Sequence, residues 1–326
     1  MTRMLLCVAL LAPLAGAAEA GAAPKAELVS CVKIWEEAPH NAFTNLIRYK
    51  DEWFCVFREG AGHVSPDGAL RVIVSGDGEQ WVSAARLTSE TADLRDAQIT
   101  VTPDNRLMLS GAAAWHTPSP ATHQTLAYFS ENGRDWTAPV EIGLPNDWLW
   151  RVTWNGDTAW GIGYACGRGE RNIRLYKSAD GKQFDVVVDS LMTEGFPNES
   201  SILFLEDGGA VCLLRRDEAN GMVGNAAAPY TEWTWKDLGV RIGGPHFIRV
   251  PGAGFVAAVR LYEPARTALC LLDPDTGAFS EALTLPSGGD TSYPGLVWHD
   301  GLLWVSYYSS HEGKTSIYLA RVRFSG

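Results

Sequence analysis

The chain has 326 residues, a formal net charge of −11 and 46% hydrophobic residues. A balance this acidic, without clustered Lys and Arg, excludes a partner held by its phosphate backbone, so no nucleic acid is expected. Thirteen Trp beside thirty-three Gly fit short strands, tight turns and an aromatic-lined surface, and length alone leaves one or two domains open.

The first twenty residues, MTRMLLCVALLAPLAGAAEA, place Arg3 before an apolar run from Met4 to Leu14 and a small-residue site at Ala18-Glu19-Ala20. This is the pattern of a secretory signal peptide, too short to anchor in a bilayer, so residues 21–326 are expected to act as a single exported domain, periplasmic or extracellular. No other stretch approaches the roughly 20 apolar residues of a membrane helix. Cys7 lacks the small residues that precede a lipidated cysteine. Beyond it, Cys31, Cys55, Cys166, Cys212 and Cys270 are odd in number and scattered through apolar surroundings. They read as buried thiols, without a disulfide framework or a CxxC metal site.

Next comes a strand, Glu27 to Trp35, with no hairpin partner nearby. After it one unit recurs: strand, Asp/Gly-type turn, strand. Its copies read NLIRYKDEWFCVFR from Asn45, QITVTPDNRLMLSG from Gln98, RVTWNGDTAWGIGY from Arg151, SILFLEDGGAVCLLR from Ser201, HFIRVPGAGFVAAVR from His246 and GLVWHDGLLWVSYY from Gly295. The first three copies are each followed by a second hairpin whose turn obeys S-x-[DN]-G-x-x-[WF]: Ser75 to Trp81, Ser130 to Trp136 and Ser178 to Phe184. In that turn Asp or Asn bonds its own backbone, Gly takes the left-handed position, and the aromatic folds back as a plug. Later units keep degenerate versions at Tyr230 to Trp233 and Asp273 to Phe279. A fixed period of about fifty residues predicts an all-β, six-bladed propeller of four-stranded antiparallel blades. The last unit ends after its third strand, Ser316 to Phe324, so the Glu27–Trp35 strand is expected to close its blade and hide two free edges.

In such a meander the starts of first strands and the ends of second strands share one rim, and both hairpin turns share the other. The chemical rim is therefore expected to collect Asp96, Arg151, Glu199, His246 and Tyr293 from first strands, with Arg58, Arg215, Arg260 and Tyr307 at equivalent ends of second strands. Charges and aromatics gathered at one mouth mark the place for a ligand.

The turn motif resembles the Asp-box of sialidases, and the order of residues at the rim resembles the exo-sialidases over nearly the whole mature chain. The resemblance rests on Glu199 in FPNESS with Arg215 after it, Arg260 in FVAAVR and Tyr293 in DTSYPGL. It implies that Tyr293 is the nucleophile and Glu199 its base, with Arg215 and Arg260 clamping a substrate carboxylate. It also implies that Arg58, Asp96 and Glu312 line the pocket. A neutral phenol suits a sugar whose own carboxylate would repel an anionic nucleophile, and paired arginines suit that carboxylate. Two family features are altered: Ala42 stands where the first arginine belongs, and the acid/base position has only His63 or Asp67 as candidates, Asp67 in a Pro-Asp-Gly turn.

The expected function is thus an exo-glycosidase acting on terminal sialic acid or a related acidic sugar of a glycan. The alternatives are a propeller lyase or another glycoside hydrolase using His63 and Tyr293, and a carbohydrate-binding propeller without turnover. No GxSxG, P-loop, HExxH or dinucleotide fingerprint is present, and neither a cofactor nor a metal is assigned.

Overall fold

Strands buried on both faces near the axis and a half-exposed outermost strand, joined by Gly- and Asp-rich turns, make each repeat a four-stranded antiparallel meander. The computed structural model describes residues 24–117, 120–166 and 169–325; the expected signal peptide lies outside them. After β1 (Lys25–Trp35), the first blade is β2 (His40–Tyr49), β3 (Glu52–Gly60), β4 (Ala69–Ser75) and β5 (Val82–Leu87). The second is β6 (Ala92–Val101), β7 (Leu107–Trp115), β8 (His123–Ser130) and β9 (Val140–Ile142). The third is β10 (Asp147–Asn155), β11 (Thr158–Ala165), β12 (Ile173–Ser178) and β13 (Asp185–Met192). The fourth is β14 (Pro197–Phe204), β15 (Gly209–Arg216), β16 (Met222–Ala227) and β17 (Thr234–Asp237), and the fifth is β18 (Gly243–Val250), β19 (Gly254–Tyr262), β20 (Ala265–Leu272) and β21 (Phe279–Thr284). The sixth blade holds β22 (Thr291–His299), β23 (Leu302–Ser309) and β24 (Ser316–Ser325), and β1 joins it as the outermost strand, antiparallel to β24. The sixth blade is thus built from both ends of the chain, as the unpaired Glu27–Trp35 strand implied. No helix of the described residues is long and apolar enough to cross a membrane.

The Asp-box turns follow their sequence logic. Asp77 accepts from the Glu79 and Gln80 amides, Ser75 Oγ accepts from the Gly78 amide, and Gly78, Gly133 and Gly181 all have φ between 71° and 74°. The five cysteines after residue 23 are free thiols; Cys55, Cys212 and Cys270 are buried, whereas Cys31 and Cys166 are only partly so.

Neighbouring blades pack through apolar seams. Between the sixth and first, Trp53 stacks on Trp304 with ring centroids 4.2 Å apart, and Arg321 caps the outer face of Trp304. At the axis the same seam is closed by backbone: Thr44 Oγ1 donates to the Tyr293 carbonyl at 2.9 Å. A Cβ on Gly295 would stand 2.2 Å from the Leu46 nitrogen.

Every inner strand carries one bulge. Register jumps from Ala42 to Asn45, Arg95 to Gln98, Leu149 to Val152, Pro197 to Ser200, Gly243 to His246 and Ser292 to Gly295, each time with two residues facing one on the second strand. The first bulged residues are Phe43, Asp96, Trp150, Asn198, Gly244 and Tyr293. Four of them adopt left-handed φ: Phe43 (64°), Asp96 (52°), Gly244 (54°) and Tyr293 (50°).

This register corrects one expectation. Arg58 pairs with Ala42 and Arg260 with Gly243, but the residue paired with Pro197 is Arg216, so Arg215 lies opposite the bulge. Likewise Tyr308, paired with Ser292, is the counterpart of Arg58, and Tyr307 turns away to Cys31 and the Pro286 carbonyl. The first hairpin loops differ in length, two residues between Tyr49 and Glu52 but five between Phe204 and Ala210, so alignment on turns misplaces their ends.

Because the Gly295 contact is backbone to backbone, nothing there can swing aside. Gly295→Ala should lower the unfolding free energy by about 2–4 kcal/mol, read as a reduced melting temperature; an unchanged melting temperature would show that the first and sixth blades are not locked here.

Candidate active site

The bulge in β22 aims the Tyr293 side chain across the axis toward the fourth blade. Its hydroxyl donates to Glu199 Oε1 at 2.5 Å and accepts from Arg215 Nη1 at 2.8 Å. Glu199 Oε2 accepts from Arg215 Nη1 at 2.7 Å and from the Gly244 amide at 3.0 Å. Gly244 is required twice over: its φ is +54°, and a Cβ would stand 2.7 Å from Tyr293 Cδ2. Phenol, carboxylate and guanidinium from distant parts of the chain thus meet in one buried cluster. Burial, reinforced by the Glu199 charge, pushes the Tyr293 phenol well above its ordinary range, against the pull of Arg215 and Arg260. A free phenolate is therefore not the resting species.

Arg260 lies against this cluster, its guanidinium carbon 5.4 Å from the Tyr293 ring centroid. It donates to the Thr291 carbonyl, Asp290 Oδ1 and Tyr308 Oη at 2.7, 3.1 and 2.8 Å. The other oxygen of Asp290 receives two imidazoles: His63 Nδ1 at 2.7 Å and His40 Nε2 at 3.1 Å. Burial alone would raise the Asp290 carboxyl, but its bonds to His40, His63 and Tyr308 hold it well below the usual carboxylate range. His63 packs edge-on against Phe43, which in turn packs edge-on against Tyr293, both at 5.0 Å. Its side chain is 47% exposed, and among the described residues its Nε2 makes no hydrogen bond. The donor atoms of His40, His63 and Asp290 lie within 4.8 Å of one another, so this trio is also the set that could hold a metal ion.

The remaining candidates fall in different places. Arg58 is fully buried and spends its guanidinium on Asp93 Oδ1 and on Gly62 and Ser65, which leaves it anchoring the loop that carries His63. Asp67 closes the same loop, both its oxygens accepting from the Ala61 amide. Glu312 is turned outward onto Lys33 of the outermost strand at 2.9 Å. Arg151 and His246 lie in the central channel beneath the mouth. Asp96 is buried at the bulge of β6; its Oδ1 has no partner among the described residues, and burial raises its carboxyl to about 6.

Two groups at the mouth escaped sequence reasoning. Arg95 flanks the second-blade bulge as Ala42 flanks the first, and its guanidinium lies 6.0 Å from the Phe43 ring and 5.7 Å from Trp148. It is the least committed arginine there, with Asp93 Oδ2 at 3.8 Å and the His63 carbonyl at 3.4 Å. In LRDAQ the signal was one residue from Asp96 and visible only through the bulge. The second group is an aromatic ladder, His123 on Trp148 on Tyr164, with both centroid separations 5.7 Å. Its Tyr164 end walls a recess of about 230 Å³ that also touches Glu199, Arg215 and Asp217.

No protein-family model matches the sequence, and no curated protein matches it either. Solved structures do match. A protein of unknown function from Dyadobacter fermentans superposes with a TM-score of 0.81 at 18% identity, covering 92% of this chain and 100% of that one. An α-L-arabinanase from Penicillium chrysogenum, complexed with arabinobiose, superposes with 0.70 at 12% identity over 90% of this chain and 98% of that one. The Trypanosoma rangeli sialidase, complexed with the inhibitor DANA, superposes with 0.68 at 15% identity over 91% of this chain and 59% of that one. The fold is therefore the sialidase-like six-bladed propeller, shared by hydrolases of acidic and of neutral sugars.

The buried Asp96 carboxyl makes a prediction about pH. Its folded value, about 6, exceeds the ordinary 3.8, so between these the native state binds more protons and stability falls as pH rises through that window. Asp96→Asn should raise the melting temperature at pH 8 and give no gain at pH 4; an equal difference at both pH values would show that Asp96 is not charged at the expense of the fold.

Proposed function

We propose that this propeller is a retaining exo-glycosidase for a terminal sialic acid or a related acidic sugar. The observation that carries the reading is the Tyr293–Glu199–Arg215 cluster, a phenol held between a base and a cation on a strained backbone. A positive φ at a non-glycine residue such as Tyr293 is retained where surrounding structure over-determines it, which is common at reacting groups. What sets Tyr293 apart from Phe43, which shares the bulge and the positive φ, is a hydroxyl bonded to both a carboxylate and a guanidinium.

In the first half-reaction Tyr293 Oη attacks the anomeric carbon while Glu199 takes the phenol proton. The glycosidic carbon–oxygen bond breaks, and the departing oxygen takes a proton from His63 Nε2. In the second half, His63 removes a proton from water, whose oxygen displaces Tyr293, and Glu199 returns the proton to the phenolate. Asp290, joined by His40, fixes the tautomer of His63 and steadies its imidazolium. Arg215 stabilises negative charge on the phenol oxygen at the moment of transfer.

Arg260 and Arg95 supply charge for the substrate carboxylate from two sides of Phe43. Arg95 thereby stands in for the arginine that Ala42 does not provide, and the ladder of His123, Trp148 and Tyr164 gives a stacking wall for the sugar ring.

An aryl α-sialoside tests this reading. Tyr293→Phe and Glu199→Gln should each lower kcat by about a thousandfold or more. His63→Asn should lose activity on poor leaving groups and keep most of it on a strongly acidic phenol, which needs no protonation. Arg95→Met should raise KM about tenfold with little change in kcat. Dialysis against a chelator should leave turnover intact if the His63 trio moves protons. Equal turnover by wild type and Tyr293→Phe would remove the tyrosine from the mechanism. Turnover of an aryl arabinofuranoside alone would move the substrate to neutral sugars, an unsaturated product would indicate a lyase, and glycan binding without product would indicate a lectin-like role.

A further inference from the structure

The central channel beneath the mouth holds a cavity of about 220 Å³, lined by inner strands of all six blades. Its polar lining is Asn45, Gln98, Thr100, Ser110, Arg151, Thr153, Ser201 and His246. Asn45 Nδ2 donates to Gln98 Oε1 at 3.0 Å, which uses that amide's acceptor and leaves Gln98 Nε2 without a partner. Ser201 Oγ, Arg151 Nε and His246 Nδ1 are also buried without partners among the described residues. Arg151 is 7% exposed and makes one hydrogen bond, from Nη2 to the Pro294 carbonyl at 2.9 Å.

Charge points the same way. Burial lowers the Arg151 guanidinium to about 9 despite the nearby Glu199 and Asp96 charges, and neither carboxylate bonds to it. Glu199 is committed to Arg215, Tyr293 and Gly244. Burial, then the charge on Arg151, keeps His246 neutral by holding its imidazole well below the usual range. Arg151 is thus the one formal charge among the lining residues, surrounded by unpartnered neutral donors. Such a group is costly unless an anion meets it.

We infer that the channel is a binding site for one small monovalent anion, chloride being the simplest, held by Arg151 Nε, Gln98 Nε2 and Ser201 Oγ. A single positive charge selects a single negative one, and three unpartnered donor groups line the one cavity that would hold it. The site is separate from the sugar mouth and connects to it through Pro294, whose carbonyl Arg151 holds one residue after Tyr293.

The test uses the full chain without substrate. Melting temperature is measured against sodium chloride or bromide, exchanged for sodium gluconate at constant ionic strength, and crystals grown in bromide are examined for an anomalous peak. The expected result is a saturable rise with halide and a bromide peak within hydrogen-bonding distance of Arg151. Arg151→Met should weaken halide binding about tenfold or more, and Ser201→Ala, the variant to use if the first fails to fold, about two- to tenfold. No saturable rise in the wild type, or one of unchanged midpoint in the variant, would overturn the site.

Discussion

Two residues on each inner strand stand opposite one on its neighbour, and this mismatch governs what the axis of the ring can do. A regular strand would send alternate side chains into the seams between blades. The bulge breaks that alternation, at the cost of a left-handed φ at the non-glycine residues Phe43, Asp96 and Tyr293. Six copies of one backbone device therefore make a ring of side chains whose chemistry is free to differ: Phe43, Asp96, Trp150, Asn198, Gly244 and Tyr293. Where the neighbour must approach closely the residue is Gly244, and its amide is then available to Glu199.

The ring positions groups; burial decides their states. Tyr293 and Glu199 are buried and Arg215 is mostly so, and each of the three groups hydrogen-bonds the other two. The second cluster is organised differently. Asp290 has both oxygens occupied, one by Arg260 and Tyr308 and the other by two histidines, which holds it in its charged form. One cluster sits largely buried at the floor, and the other reaches the rim through the half-exposed His63.

Strand order, the closing strand and the rim on which Glu199, Arg215, Arg260 and Tyr293 meet were all legible in the sequence, because turn chemistry and strand alternation are local and repeat at a regular spacing. Register was not. A hairpin of two loop residues and one of five look alike in a repeat alignment, so Arg215 was grouped with Arg58 and Arg260 although it faces the bulge and they do not. Pairings between remote loops were also hidden. Nothing in AGHVSPDG indicates that His63 reaches Asp290, 227 positions away, and nothing in LRDAQ indicates that Arg95 rather than Arg58 has charge to offer. A buried arginine and an available one are the same letter until the partner is known.

Ala42, where the resemblance to exo-sialidases places an arginine, takes on a different meaning in this geometry. At the matching bulge the chain places Phe43, whose ring touches Tyr293, Tyr308, His40 and His63 at once. A guanidinium there would stand beside Arg260 and the two histidines, adding positive charge to a corner where Asp290 is the nearby carboxylate. An apolar ring removes that repulsion and lets both imidazoles approach one oxygen. Phe43, the two imidazoles and Asp290 therefore form one packed corner, and Arg95 of the next blade lies against the same ring.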